Sequence, residues 1–336
     1  MGLQLTQLVP GREIGFEELF DRRIAIDAFN WIYQFLSIIR QPDGEPLKVS
    51  QGRVTSHLSG LYYRSLKLLE AGIKPIYVFD GQPPAFKKAT NDERRSVREK
   101  AAKEWKEALE KKDYAAARKA AQRSVTVTEE IIKGSKELLD AMGIPVIQAE
   151  GEGEALCSVI VNEKDAFAVA TQDYDSLLFG APVLVRNLSI TGKRRRGSSL
   201  IEVRPEMIVL RDVLHSLDIT HDQLIILGII MGTDFNPGGI SGYGPKKALE
   251  LVRQKKTLNA CLEGLAWEFP VEPQEIFDFF KNPKKSVYHL EFRPFDEERI
   301  KSILCDRHDF SQERIENAMK RAQKKGSQSS LGRWVK

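Results

Sequence analysis

Two aspartates close together in this sequence are the first residues whose types and spacing could support chemistry. Asp173 and Asp175 lie two positions apart, shortly after the apolar segment AFAVA. Like charges this close repel, and each raises the pKa of the other unless a cation lies between them. The pair therefore predicts a cation site.

Further acidic residues occupy comparable positions elsewhere in the chain. Asp27 and Asp80 end the apolar segments RRIAID and KPIYVFD, and Glu152 and Glu154 follow the segment IPVIQAEG. Asp234 follows the apolar stretch DQLIILGIIMG. Each acid alone could cap a strand or begin a helix, but such a set of equivalent positions suggests that the acids act together.

The elements that carry these acids have the pattern of an α/β fold. Continuous apolar segments indicate strands buried on both faces, as in a parallel sheet. Helical patterns between them end at Gly72 and Gly143, each shortly before a proline. We therefore expect a mostly parallel central sheet flanked by helices, with the acids together at the carboxyl edge of the strands. The predicted strands are 22–29, 74–81, 144–151 and 166–173.

Acids gathered at one edge would repel by several kcal/mol at low effective dielectric unless cations neutralise them. Hard divalent cations with oxygen ligands suit such a site, and the five histidines are scattered without zinc-ligand spacing. We therefore expect Mg²⁺ or Mn²⁺. Two such ions roughly 4 Å apart can activate a water, hold a phosphodiester and stabilise the leaving oxygen. The pattern predicts a metal-dependent phosphodiesterase, and it lacks a catalytic cysteine, a Ser/His/Asp triad and a Walker motif.

Charge is clustered although the 336-residue chain is nearly balanced, with 51 Lys and Arg against 47 Asp and Glu. Basic clusters at 87–123, 193–196 and 320–325 are typical of a protein that neutralises a phosphate backbone. The three widely spaced cysteines predict reduced thiols. No apolar stretch reaches the roughly 18 residues of a membrane span, and we expect no signal peptide and no membrane partner.

The middle of the chain differs from the flanking strands and helices. Residues 86–123 are rich in Lys, Arg, Glu and Ala, which predicts helix that projects from the body or, equally well on composition, a solvated helical pair joined by salt bridges. Residues 191–199 predict an exposed loop, 205–255 an all-helical stretch, and the last dozen residues a polar tail.

A glycine-rich segment, NPGGISGYGPKKALEL at 236–251, joins two predicted helices. It is not a dinucleotide fingerprint, because the G-x-G-x-x-G spacing fails after Gly244. Pro245 suits the first position of the second helix, where exposed amides beside Lys246 and Lys247 could bind phosphate without reading sequence. The alternative is a tight interhelical turn with lysines facing solvent.

Six segments together resemble the flap endonucleases of the structure-specific 5′ nuclease superfamily, in the compact archaeal form. They are IAIDAFNWIYQFL, TSHLSGLYYRSL, GIKPIYVFDGQPPAFK, EGEGEA, TQDYDSLLFG and GTDFNPGGISGYGPKKALEL. The resemblance implies a single nuclease domain over residues 1–320, with a helical arch at about 84–128 and a helix–two-turn–helix motif at about 220–255. It also implies a flexible tail over 321–336. The implied activity is cleavage of 5′ flaps, with 5′ exonuclease activity, in DNA replication and repair.

The resemblance also assigns roles to individual residues. It implies two Mg²⁺, replaceable by Mn²⁺, and a K⁺ at the helix–two-turn–helix motif. The implied metal ligands are Asp27, Asp80, Glu152, Glu154, Asp173, Asp175 and Asp234. The implied catalytic residues are Lys87, Arg94 and Asp173, the two cations countering charge on the scissile phosphate. The implied DNA contacts are Gly2, Tyr33 (on which a base would stack), Arg40, Arg64, Gly242, Gly244, Lys246 and Lys247.

The C-terminal tail carries a partner motif. Gln328, Leu331, Trp334 and Val335 have the spacing Q-x-x-h-x-x-a-a, which the resemblance assigns to the replication sliding clamp. The alternative is a tail that folds back on its own domain. Two positions depart from the family pattern: Val335 replaces a second aromatic residue, and Glu150 replaces a frequent proline.

Other functions fit parts of the sequence. Haloacid dehalogenase-type phosphatases also place D-x-D after an apolar strand, but that function leaves Asp27, Asp80 and the glutamates unexplained. A non-catalytic DNA-junction binder would not need seven intact ligands. Within the superfamily, a 5′ exonuclease or a junction-resolving enzyme is the nearest alternative. We expect a monomer that acts on branched DNA with a 5′ flap, in the cytoplasm and associated with the nucleoid of an archaeal-type cell.

Overall fold

The structure is a computed structural model that describes residues 5, 8–82, 84, 88–196 and 199–331, leaving aside the side chains of 88–93, 193–196, 199–201 and 324–331. The described strands are β1 (Arg12–Glu13), β2 (Arg23–Asp27), β3 (Lys74–Phe79), β4 (Val146–Gln148), β5 (Ala168–Ala170), β6 (Val183–Arg186), β7 (Gly192–Arg196), β8 (Ser199–Val203) and β9 (Glu206–Val209).

The described helices are α1 (Ala28–Ile38), α2 (Ser56–Glu70), α3 (Lys88–Glu110), α4 (Tyr114–Arg123), α5 (Glu129–Ala141), α6 (Gly153–Asn162), α7 (Asp175–Leu178), α8 (Leu210–Leu217), α9 (His221–Met231), α10 (Pro245–Lys255), α11 (Leu258–Leu262), α12 (Pro273–Lys281), α13 (Glu297–Lys301) and α14 (Gln312–Leu331). α2 and α5 end as the sequence predicts, because Gly72 and Gly143 follow them at φ 74° and 64°.

A mostly parallel sheet forms the centre of the chain. Across the described residues its order is β1-β9-β6-β5-β2-β3-β4. β2 pairs in parallel with both β3 and β5, while β9 is antiparallel to β6 and β1 to β9. The chain passes from β2 to β3 on one side and returns to β5 on the other. This reversal opens a crevice at the carboxyl end of β2, where α/β proteins bind ligands. The predicted fold class is confirmed.

Both faces of the central strands are buried, which explains their continuous hydrophobicity. Ile24 and Ile26 of β2 enter the core beneath α1, α2, α5 and α14, whereas Ala25 faces the core beneath α6. Alternation along a strand sends successive side chains to opposite faces, so a strand covered on both sides needs apolar residues throughout. Trp31 of α1 packs edge-on against Tyr77 of β3, with ring centroids 5.7 Å apart.

Two predictions about the segment after β6 are wrong. The expected loop at 191–199 belongs to an antiparallel hairpin of β7 and β8, and the expected helical stretch from 205 begins with strand β9. Both errors have the same physical cause. The charged hairpin and the antiparallel strand β9, which lies between β1 and β6, are held by main-chain pairing, which leaves little hydrophobic pattern in the sequence.

Helices α3 and α4 form the predicted arch and are tied to the body. The Trp105 indole N–H donates to the Asp43 carbonyl at 3.2 Å, and the Arg40 guanidinium lies 5.9 Å from the centre of the Trp105 ring. An ion pair of 2.5 Å joins Arg123 to Glu104. The arch is thus a salt-bridged helical pair with one aromatic anchor on the loop that joins α1 to α2.

The chain's last described helix extends beyond the domain boundary that the sequence suggested. α14 continues to Leu331, so the backbone of residues 321–331 is helical where a flexible tail was expected. The buried Tyr62 hydroxyl donates to the Ile315 carbonyl at 2.8 Å and fixes the start of this helix on α2.

Within the described chain, no single helix is long and apolar enough to cross a membrane. Leu210–Leu217 and His221–Met231 meet the requirement together by length and composition only, and they are bent by 78° at the break between them.

Candidate active site

A cleft of about 290 Å³ opens at the carboxyl edge of the central sheet. It also borders Arg94 of α3, Asn30 and Tyr33 of α1, and a group of phenylalanines on the helical side. The acids predicted as metal ligands all line this cleft: Asp27, Asp80, Glu152, Glu154, Asp173, Asp175 and Asp234.

Backbone amides fix the acids at the ends of β2 and β3. Asp27 ends β2 and caps α1, and it accepts the Asn30 backbone N–H at 3.0 Å. Asp80 follows β3 and accepts the Gly153 N–H at 2.7 Å. A Cβ atom at position 153 would lie 2.7 Å from Asp80 Oδ1, so a larger residue would displace the carboxylate. Gly153 therefore lets α6 begin directly against Asp80.

Three further acids lie at the N-terminal ends of α6 and α7. Glu152 is the N-cap residue of α6, and Glu154 lies in its first turn and accepts the Ser176 N–H at 2.9 Å. Asp175 is the first residue of α7 and is 8% exposed. The positive end of a helix dipole stabilises a carboxylate at these positions.

Asp173 and Asp234 are held by side chains from distant parts of the chain. The Asn30 side-chain amide donates to Asp173 Oδ2 at 2.9 Å, and Arg94 Nη2 lies 2.5 Å from Asp234 Oδ1. The Arg94–Asp234 pair joins the arch to the helical side of the cleft. One of the predicted catalytic cations thus contacts one of the predicted metal ligands.

Burial and mutual repulsion make this group of acids reluctant to ionise together. Burial, and then the Asp80 charge, raise the pKa of Asp27 well above its ordinary value. The pKa of Glu154 is raised well above its ordinary value by burial and Asp175, and that of Asp173 is raised by burial and Asp234. A divalent cation in the cleft would favour the ionised forms of all three acids.

The carboxylates line the cleft without forming a closed cage. As the described side chains stand, no group of three or more His, Cys, Asp or Glu residues is arranged to hold a metal ion. One of these acids, Asp234, is engaged by Arg94. The donor set nevertheless fits Mg²⁺ or Mn²⁺, since it consists of hard oxygen ligands.

Three predicted DNA contacts lie on α1, on the segment that follows it and on α2, and each has an intramolecular neighbour. Tyr33 borders the cleft, with the Arg98 guanidinium 5.5 Å from its ring centre. Arg40 donates to the carbonyls of Leu36 at 2.7 Å and Gly44 at 2.6 Å. Arg64 donates to the Thr191 carbonyl at 3.2 Å. The contacts of these three residues with DNA stay predictions.

The glycine-rich segment forms the turn between α9 and α10. Gly242 has φ 83°, Gly244 is the N-cap residue of α10, and Pro245 occupies the first helical turn. Lys246 and Lys247 are exposed beside it. Two helices thus flank the glycine-rich segment, as the sequence predicted, and the start of α10 offers backbone amides next to two cations.

The remaining predicted residues lie outside the described structure in whole or in part. Gly2, Lys87, Trp334 and Val335 fall outside the described residues, and Gln328 and Leu331 are described only as backbone of α14.

The sequence analysis did not identify two asparagines that help to shape the site. Asn236 is fully buried, and its side chain accepts the Thr233 N–H at 3.0 Å and donates to the Ile229 carbonyl at 2.6 Å, which fixes the turn that carries Asp234. Asn30 contacts Asp173 as described above. No sequence clue pointed to either side chain, since the cap at Asp27 uses only the backbone N–H of residue 30.

Comparison with known proteins identifies the family. The XPG N-terminal domain matches residues 3–101, and the XPG I-region matches residues 143–234. Flap endonuclease 1 of Pyrococcus abyssi is 53% identical over 340 residues, covering 99% of this chain and 98% of the relative. Flap endonuclease 1 of Pyrococcus furiosus is 52% identical over 342 residues, covering 100% of both chains.

The chain belongs to the flap endonuclease 1 family. The solved flap endonuclease-1 of Methanococcus jannaschii is 40% identical with a TM-score of 0.78, covering 98% of this chain and 100% of that one. The catalytic core of Rad2, solved with DNA substrate, has a TM-score of 0.71 at 22% identity, covers 96% of this chain and 100% of that one, and shows the fold alone.

This flap endonuclease hydrolyses phosphodiester bonds in DNA, and its family acts in replication and repair. Nucleases of the family depend on metal ions. The assignment decides against a haloacid dehalogenase-type phosphatase and against a non-catalytic junction binder.

Proposed function

We propose that this flap endonuclease cuts 5′ flaps, and 5′ ends exonucleolytically, with two Mg²⁺ held by the seven carboxylates of the cleft. The observation that carries the proposal is the convergence of these acids, from strands and helices far apart in sequence, on one small cleft. Bound Mg²⁺ would neutralise charge on the scissile phosphate and lower the pKa of the attacking water. Mn²⁺ accepts the same oxygen ligands and is expected to substitute.

Arg94 would counter the charge of the scissile phosphate together with Lys87. Its present partner is Asp234, at 2.5 Å. A phosphate that enters the cleft would compete with Asp234 for the guanidinium. Arg94 would then turn to the phosphate, which favours charge stabilisation only when the substrate is in place.

The surrounding residues would hold branched DNA around the cleft. A nucleobase would stack on Tyr33, and Arg40, Arg64 and Gly2 would contact the DNA backbone near the cleft. The turn between α9 and α10 would bind backbone phosphates without reading sequence and would hold K⁺ through its oxygen atoms. The proposed turn contacts are Gly242, Gly244, Lys246 and Lys247.

The domain boundaries, partner and cell compartment belong to the same proposal. Residues 1–320 would form one nuclease domain, which acts as a monomer in the cytoplasm at the nucleoid. Residues 321–336 would carry the sliding-clamp motif of Gln328, Leu331, Trp334 and Val335.

Replacement of Asp173 tests the metal proposal. Asp173→Ala should lower single-turnover flap cleavage by several orders of magnitude and retain flap binding, because the carboxylate would hold a catalytic ion and not the duplex. Asp212→Ala is the matched control, since Asp212 is an exposed acid outside the cleft. Loss of binding together with near-normal turnover would remove Asp173 from the metal site. Rates on flap, nicked and four-way DNA measure the substrate preference.

A further inference from the structure

Asn30 joins the ends of two neighbouring strands at the floor of the cleft. It lies in the first turn of α1, directly after β2. Its side-chain amide donates to Asp173 Oδ2 at 2.9 Å, across 143 residues of sequence. Its side-chain oxygen accepts the Gln172 N–H at 3.4 Å, so the amide contacts both the backbone and the carboxylate of the segment after β5.

The bond from Asn30 restricts the orientation of the Asp173 carboxylate. The Asp173 backbone N–H is separately held by the Thr171 hydroxyl at 3.2 Å. Backbone and side chain are therefore fixed by different partners, and one carboxylate oxygen is directed toward Asn30. No bond from a described residue to the other oxygen is seen, so that oxygen could bind a cation on the cleft side.

A neutral donor suits this position better than a charged one. An amide that donates to a carboxylate oxygen holds that oxygen in place and adds no charge to the site. Lys or Arg at the same place would cancel the negative charge that attracts a cation. The amide therefore orients the acid and leaves its charge for the metal.

We infer that Asn30 is a positioning residue that orients Asp173 for metal binding. The inference rests on the proposed metal role of Asp173. Such a residue bonds to a metal ligand but not to the metal itself. Its mutation commonly weakens metal binding by 10- to 100-fold.

The helix cap and the positioning bond can be separated by mutation. Asp27 caps α1 by accepting the backbone N–H of residue 30 at 3.0 Å, and every residue except proline keeps that N–H. A side-chain replacement at this half-buried position therefore removes only the bonds to Asp173 and Gln172. Gln34 provides a matched control, because it is a half-buried amide on the same helix that bonds to Ser189 outside the cleft.

The test compares Asn30→Leu, Asn30→Ser, Gln34→Leu and Asp173→Ala in the full-length protein. Mn²⁺ affinity is measured by electron paramagnetic resonance titration without DNA, and flap affinity is measured in EDTA. We expect both Asn30 variants to bind Mn²⁺ about tenfold more weakly. They should also need more Mg²⁺ for half-maximal single-turnover cleavage, and they should keep the wild-type flap affinity. Gln34→Leu should match the wild type in all three measurements.

Two results separate failure of this inference from failure of the metal proposal. Wild-type Mn²⁺ affinity in either folded Asn30 variant, with weakened binding in Asp173→Ala, overturns the positioning role. Wild-type Mn²⁺ affinity in Asp173→Ala itself refutes the metal role on which the inference depends. Thermal unfolding of each variant checks that it is folded. If Asn30→Leu does not fold, the comparison is made with Asn30→Ser.

Discussion

The cleft of this flap endonuclease contains several buried acids, and each makes ionisation of the others less favourable. Asp27, Glu154 and Asp173 have raised pKa values because they are buried beside other acids. Arg94 offsets one part of this repulsion through Asp234. Buried acids of this kind lower the free energy of unfolding. A cation that binds only the folded state would raise it again.

His57 gives a separate residue-level dependence of stability on pH. It is 3% exposed on α2, and burial, followed by the nearby His308, lowers its pKa to about 3. The folded state thus binds this proton less readily than the unfolded state. The stability contribution is complete above the ordinary pKa of 6.5 and is lost as the pH falls from 6.5 toward 3.

We predict that His57→Leu reduces the loss of stability on acidification. At pH 5 the wild type should lose about 2 kcal/mol through this residue relative to pH 8, since one pKa unit corresponds to about 1.4 kcal/mol. Guanidinium unfolding of both proteins at the two pH values measures the difference. His289→Leu, at an exposed histidine, should retain the wild-type pH dependence. An unchanged pH dependence in His57→Leu would show that His57 is not the titrating group.

The backbone of the turn between α9 and α10 is held by contacts among its own residues and with the end of α9. Gly239 lies so close to the end of α9 that an added Cβ would be 2.3 Å from the Ile230 carbonyl. The Asn236 side chain closes the turn against Ile229. This rigidity directs the start of α10, with Lys246 and Lys247, outward from the body.

We predict that these two lysines contribute affinity for DNA independently of sequence. Lys246→Ala with Lys247→Ala should weaken flap binding and reduce the slope of log K against log salt by about two, one for each phosphate contact. Binding is measured over a range of KCl concentrations. The double variant of Lys284 and Lys285, which lie outside the turn, is the control. A wild-type slope in the Lys246/Lys247 variant would leave the turn with a structural role alone.

The whole molecule places its C-terminal motif at the end of a long helix. α14 packs on α2 at its start and continues to Leu331, with Trp334 and Val335 beyond. In the proposed clamp motif, Val335 in place of an aromatic residue would bury several tens of Å² less against the clamp, which would weaken binding by about 1 kcal/mol at 25 cal/mol per Å².

We predict that deletion of residues 328–336 abolishes stimulation by the sliding clamp and leaves clamp-free flap cleavage unchanged. Clamp affinity by calorimetry and cleavage rates with and without the clamp provide the measurements. Val335→Phe should bind the clamp more tightly than the wild type. Wild-type clamp affinity in the truncated protein would refute the motif, and a changed clamp-free rate would indicate that the tail contacts its own domain.

The sequence by itself determined the central strands, the ends of α2 and α5 and the set of acids at the strand ends. These features depend on local patterns, namely continuous hydrophobicity, glycine after a helix and carboxylates after a strand. Parallel topology then brings strand ends together at one edge, so the convergence of Asp27, Asp80 and Asp173 could be inferred without coordinates.

Only the tertiary structure decided the partners of those acids. Asn30 meets Asp173 across 143 residues, and Arg94 meets Asp234 across 140. It also paired β9 with β6 where a helix was predicted. A polar side chain can bond to many donors and acceptors, and a strand can pair with many neighbours. The partner that each one takes depends on which segments pack together, and this cannot be inferred from local sequence.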